Sequence, residues 1–305
     1  MNAELNAELI AEVQEFFGLP TPALVEKDYW VVKALAAIAE LRIDGVQLVF
    51  SGGTALGRAH RLIRRMSEDI DLKIVAQEPL TRPQLRGIRE QITACLHRAG
   101  FNFDPQSEEF LVSRNGSRFM QYRLPYPSVM PAEEGLRPGI QVELTVAQLR
   151  VPAVNLPVSS FVAEGLGRAP EITGLPCTTI VQTAAEKFVA LTRRIGEERL
   201  MGDERDHTLL RHVYDLVVIR EHYDHAEVGA MIPLIMADDV ATYGARYPMY
   251  MEDPRGETLR VIAVLGEDPS YSARFEEFHR LMVYGDKVQF EAGLATLHDM
   301  ASGVP

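Results

Sequence analysis

The chain has 305 residues, 47% of them hydrophobic, enough apolar material for one large domain or two ordinary ones around a sizeable core. Its formal charge of −12 repels polyanions, which excludes a protein that coats nucleic acid or anionic membrane without specificity. Cys95 and Cys177 stand far apart with no C-x-x-C, excluding a disulfide framework or a zinc cluster. Glu4, Glu8, Glu12 and Glu15 lie where a signal peptide would be basic, and no apolar run spans a bilayer, so a cytoplasmic protein is expected.

In chain order, the first predicted helix covers about 2–16. A second starts at Thr21-Pro22, a cap residue followed by a first-turn proline, and runs to about Glu40. The apolar run Val46 to Phe50 reads as a buried strand that meets a glycine turn, Ser51-Gly52-Gly53-Thr54. A helix over 55–66 is expected next: Leu56, Ala59, Leu62, Ile63 and Met66 share one face, and Arg58, Arg61 and Arg65 form an outward stripe. Ile70 to Val75 alternates as a strand, Arg82 to Ala99 is helical, and strands follow over 109–113, 118–124 and 139–149. Pro125 to Pro138 reads as a loop. The proline-bearing stretch 150–178 reads as a boundary or a pair of short edge strands. Helices are expected over 179–195, 204–222, 226–236, 254–263, 270–284 and 288–301. The grouping is a mixed-sheet α/β core with N-terminal helices over 1–165, then a mainly helical domain over 166–305.

The chemistry concentrates in Ser67-Glu68-Asp69-Ile70-Asp71-Leu72. A strand period of two puts Asp69 and Asp71 on one face while Ile70 and Leu72 point into the core. Two adjacent carboxylates repel each other unless a cation sits between them, so the pair suits Mg²⁺ or Mn²⁺; two solvated surface acids fit the same pattern. Gly52, Gly53 and Thr54, where a strand gives way to a helix, can turn backbone N–H groups and a hydroxyl toward a triphosphate. An ordinary tight turn would use the same residues. The two signals gain weight from belonging to one local unit. The arginine stripe can take an RNA backbone or simply be a solvated face. His222 and His225 read as incidental, and Tyr243, Tyr247 and Tyr250 as core or partner surface.

The segments F-S-G-G-T-A-L and R-R-M-S-E-D-I-D-L resemble the AbiEii/AbiGii-type nucleotidyl transferase toxins of type IV toxin-antitoxin systems, within the polymerase-beta-like superfamily. Glu26-Lys27-Asp28-Tyr29-Trp30, Ala185-Glu186-Lys187 and Arg211-His212-Val213-Tyr214-Asp215-Leu216 resemble further motifs of that family, and the likeness covers about 24–216. The resemblance implies that Asp69 and Asp71 hold the metal and that Gly53 and Thr54 cradle phosphate. It implies that Lys187 contacts the triphosphate, with Asp215 orienting it, and that Glu143 is the best-placed third acidic ligand. Read without it, Lys187 is a solvated lysine, Asp215 an i,i+4 partner of Arg211, and Glu143 a solvated strand residue. The chain departs from the family in carrying His212 where an acid often stands. The implied activity is transfer of a nucleoside monophosphate from an NTP to an RNA acceptor, with a tRNA 3′ end expected. The C-terminal helices are expected to close over the NTP, and a separately encoded antitoxin is the expected partner. A protein or small-molecule acceptor is the alternative, and an idle NTP-binding module the reading from another class.

Overall fold

The computed structural model describes residues 5–133, 135–202 and 209–302. The chain forms two compact units, Met1–Arg61 with Arg65–Thr178, and Leu62–Arg64 with Thr179–Pro305.

In the first unit, α1 (Ala7–Phe17) starts where the Asn6 side chain accepts the Leu9 N–H and ends at Gly18 in the left-handed conformation. The start of its predicted span, up to residue 4, lies outside the described residues. Helix α2 (Pro22–Ala39) is capped by Thr21 with Pro22 in its first turn, as the sequence indicates. Twelve of its eighteen residues are buried, so it is wrapped on nearly all sides and its charged residues must find protein partners. Strand β1 (Val46–Ser51), helix α3 (Gly52–Arg58), strand β2 (Asp69–Ala76) and helix α4 (Arg82–Arg98) follow. Then come β3 (Leu111–Arg114), β4 (Phe119–Leu124), β5 (Ile140–Val146), β6 (Val154–Val158), α5 (Phe161–Gly165) and β7 (Ile172–Cys177).

The seven strands form one mixed sheet in the order β3-β4-β5-β2-β1-β7-β6. Strand β2 pairs antiparallel with β1 and parallel with β5, and β7 lies parallel to β1. Of the four prolines of 150–178, Pro157 lies on the edge strand β6 and Pro176 on β7, while Pro152 and Pro170 lie outside the strands. One sheet face supplies Phe50, Ile70, Leu72, Ile74, Val142 and Leu144 to a core shared with α2 and α4. Each such side chain contributes about 1.5–3 kcal/mol by leaving water. Alternation then fixes the other face of β2 as polar, and that face carries Asp69, Asp71 and Lys73.

The predicted helix over 55–66 is corrected: α3 ends at Arg58. The Ala55 carbonyl accepts both the Ala59 and His60 N–H groups, and Arg61 then adopts φ +59°, a left-handed stop without glycine. The His60 ring bonds the Thr178 carbonyl at 2.8 Å, holding the turn, and burial lowers its pKa. Ile63 and Met66 are buried as helical spacing requires, yet lie in irregular chain.

The second unit is helical: α6 (Ile180–Met201), α7 (Arg211–Ile219), α8 (His225–Tyr243), α9 (Pro248–Glu252), α10 (Pro254–Glu267), α11 (Pro269–Met282) and α12 (Phe290–Ser302). Of the helix predicted over 204–222, residues up to 208 lie outside the described residues; α7 and a 3-10 turn, Arg220–His222, make up the rest. Asp224, between His222 and His225, caps α8. Tyr247 and Tyr250 are core, buried and stacked at 5.7 Å, whereas Tyr243 is half-buried and lies 4.2 Å from the Arg193 guanidinium. Cys95 and Cys177 are buried free thiols. Among the described residues no helix is long and apolar enough to cross a membrane.

Candidate active site

The end of β1, the glycine turn and the start of β2 form one tight arrangement. Register sets Ser51 opposite Asp71, and Ser51 Oγ donates to the Asp71 carbonyl at 3.2 Å. Gly52 has φ +78°, and a Cβ there would stand 2.0 Å from Asp71 Oδ2, so only glycine lets the carboxylate press against the turn. A Cβ on Gly53 would meet Arg65 Nη2 at 2.5 Å and Ser67 Oγ at 2.7 Å. Thr54 is 2% exposed, and its hydroxyl bonds the Asp69 carbonyl and Ser67 Oγ. Thr54 therefore ties the turn to the first aspartate.

Asp69 and Asp71 share a face, with Ile70 and Leu72 buried behind them. Asp69 Oδ1 accepts from Arg137 Nη1 at 2.7 Å. Glu143 sits across from Asp71 in the parallel β2–β5 register, and its Oε1 accepts from the Gln121 and Gln141 amides, each at 2.8 Å. Among the described residues no three His, Cys, Asp or Glu side chains gather closely enough to hold a metal ion. A two-carboxylate donor set still fits Mg²⁺, which binds through one or two carboxylates and takes its other ligands from substrate phosphates and water.

The Glu-Lys-Asp run of α2 supports this site. Successive helix residues diverge by about 100°, so each of the three reaches a different segment. Glu26 accepts the Val129 N–H and the Ser128 hydroxyl, both at 2.6 Å. Lys27 donates to the Arg137 carbonyl at 2.6 Å, bonds the Gly139 carbonyl and pairs with Glu68 at 2.9 Å. Asp28 accepts the Phe161 N–H at 2.6 Å and pairs with Arg58 at 3.3 Å; burial pushes its carboxyl up to about 6, against the opposing pull of Arg58. Sequence reasoning flagged this segment only as a motif and missed Arg137, whose one signal was Arg-Pro-Gly before a strand.

The outward arginine stripe is also corrected. Arg58 is largely buried, stacked 3.7 Å from the Phe161 ring centroid. Arg65 is 3% exposed and donates to the Met66 carbonyl at 2.7 Å. Arg61 alone is well exposed, and pairs with Glu164 at 3.2 Å. Once α3 stops at Arg58, helical spacing no longer governs the other two.

In the second unit, Lys187 of α6 and Asp215 of α7 lie 2.7 Å apart, and both are buried. His212 Nδ1 stands 3.4 Å from Lys187 Nζ, so the residue that departs from the family pattern touches the same ammonium group.

A strand, a glycine turn and a D-x-D strand on a mixed sheet, with helices following, define the nucleotidyltransferase class. Residues 33–295 match the family of the nucleotidyl transferase AbiEii toxin of type IV toxin-antitoxin systems, and the chain belongs to that family. The fold is similar to that of MenT4, a nucleotidyltransferase toxin from Mycobacterium tuberculosis H37Rv, with 17% identity and a TM-score of 0.51 over 97% of this chain and 99% of that one. No curated protein sequence matches the chain.

Proposed function

We propose that this nucleotidyltransferase toxin transfers a nucleoside monophosphate from an NTP to the 3′ hydroxyl of an RNA, a tRNA 3′ end being the expected acceptor. Asp69 and Asp71 would hold Mg²⁺ or Mn²⁺, with Glu143, opposite Asp71 in the β2–β5 register, as a third ligand. The bound ion would neutralise charge on the triphosphate and favour departure of pyrophosphate. Gly52 and Gly53 would offer backbone N–H groups to phosphate, while Thr54 keeps the turn fixed to the Asp69 strand. Lys187 would supply a point charge for the developing pyrophosphate, and Asp215 would orient it. The observation that supports this reading is the Asp71 carboxylate lying against Gly52, where a cation held by the one and a phosphate held by the other would meet.

A protein or small-molecule acceptor is the second reading, favoured by the burial of Arg58 and Arg65, which removes the basic stripe meant for RNA. Incubating total RNA and total protein with each of four α-labelled NTPs separates the two. Label on RNA is the expected result, label on protein alone selects a protein acceptor, and label on neither removes both macromolecular acceptors. Asp69→Ala or Asp71→Ala should lower labelling by about 1,000-fold or more while the circular dichroism stays native. Full activity in either variant removes the metal assignment.

A further inference from the structure

Arg137 is mounted unlike any other arginine of the first unit described above. Its main chain is gripped on both sides: its N–H donates to Glu68 Oε2 at 3.1 Å, and its carbonyl accepts from Lys27 at 2.6 Å. Lys27 also bonds the Gly139 carbonyl and pairs with Glu68 at 2.9 Å, so its three N–H donors meet three acceptors. With its side chain 1% exposed, Lys27 cannot let go without leaving an unpaired ammonium in the interior. The Arg137 side chain is 44% exposed, and among the described residues its Nη2 carries no bond, while Nη1 reaches Asp69 Oδ1 at 2.7 Å. A rigid main chain bearing a half-covered guanidinium is what presents a planar fork to an oxyanion.

We infer that Arg137 is a triphosphate-binding residue that shares Asp69 with the metal, exchanging the carboxylate for phosphate when metal and nucleotide arrive together. This rests on the metal-dependent reading above. The argument is one of charge. The ion would sit on the Asp69 carboxylate that already holds the guanidinium, and two cations on one carboxylate repel, so metal alone would bind against Arg137. A triphosphate removes that conflict, because its oxygens accept the fork that Asp69 releases. Metal and nucleotide then strengthen each other's binding through one side chain, a coupling that is reciprocal by necessity.

The test uses the full chain and Arg137→Gln, which keeps the main-chain grip because both anchors are backbone groups. Mn²⁺ binding without nucleotide, read by electron paramagnetic resonance, should tighten about five- to tenfold in Arg137→Gln, while KM for the NTP rises by a similar factor and kcat changes little. Arg137→Lys, which retains charge without the fork, should fall between the two. Unchanged or weaker Mn²⁺ binding in Arg137→Gln overturns the inference, as does an unchanged KM. If the wild type itself shows no Mn²⁺ binding that Asp69→Ala removes, the metal-dependent reading has failed first, and this inference falls with it.

Discussion

The two units each bury a lysine in the middle of a helix, and the partners differ in kind. Lys27 of α2 is held by two main-chain carbonyls and by Glu68, the residue just before the first aspartate. Lys187 of α6 meets two side chains of α7, Asp215 at 2.7 Å and the His212 ring at 3.4 Å. Main-chain acceptors on a loop beside the sheet move only if that loop moves, so Lys27 is a mount. Side-chain partners are not fixed by the course of the main chain, so exchange of partner at Lys187 is the behaviour to test. Burial alone does not separate a functional lysine from a structural one; the chemistry of what surrounds it does.

The largest expected effect breaks this comparison directly. Lys27→Met takes the ammonium from Glu68 and from the Arg137 and Gly139 carbonyls and should cost about 3–5 kcal/mol in urea unfolding, with the KM for NTP of the folded fraction rising no further than in Arg137→Gln. Lys187→Met takes the ammonium from the buried Asp215 and should also destabilise the chain, but should in addition raise the KM for NTP by about tenfold or more. The double variant Lys187→Met/Asp215→Asn should recover stability and leave transfer impaired. If the double variant recovers transfer as well, Lys187 is merely a second mount.

Much of the first unit was legible because its signals are local. Thr21-Pro22 writes the start of α2, the alternation from Asp69 to Leu72 writes a strand with two acids on one face, and Gly100 marks the end of α4. What the sequence hid depends on residues distant in the chain. Arg58 and Arg61 share a helical pattern, yet Arg58 turns inward because Asp28 and Phe161 stand ready to receive it. Apolar spacing through Met66 mimics a helix, because residues buried by tertiary packing can keep the same interval without the backbone hydrogen bonds. Arg137 meets a carboxylate 68 positions away, which no local window contains. The five-residue α9 is too short to show a period.

Within the glycine turn the comparison sharpens to neighbouring residues. At Gly52 an added Cβ meets Asp71 Oδ2 at 2.0 Å and the backbone has φ +78°, so Gly52→Ala strains the chain and displaces the second aspartate. The expected cost is about 1–3 kcal/mol in stability and about 100-fold in transfer. At Gly53 the Cβ meets the ends of the Arg65 and Ser67 side chains, which can give way, so Gly53→Ala should be milder on both counts. Equal losses at the two positions, measured by labelling rate and thermal unfolding, would break the claim that Asp71 is seated on the turn.

The smallest expected effect concerns two aspartates, the buried Asp28 and the partly buried Asp239, one in each unit, whose carboxyls are both pushed by desolvation up to about 6. Arg58 opposes the shift at Asp28, and Arg193 opposes it at Asp239. For an acid whose native pKa exceeds its unfolded value of 3.8, the native state holds the proton more tightly. Its contribution to stability is then fully present below about pH 4 and is lost as pH rises through about 6. Between pH 7 and pH 5 each aspartate should therefore add about 1 kcal/mol as the medium becomes more acidic. Asp28→Asn, whose amide oxygen can still accept the Phe161 N–H, should remove the first unit's share of that slope. Urea midpoints at pH 7, 6 and 5 for wild type and variant give the answer, and parallel slopes would mean that the Arg58 pair, not burial, governs this carboxyl.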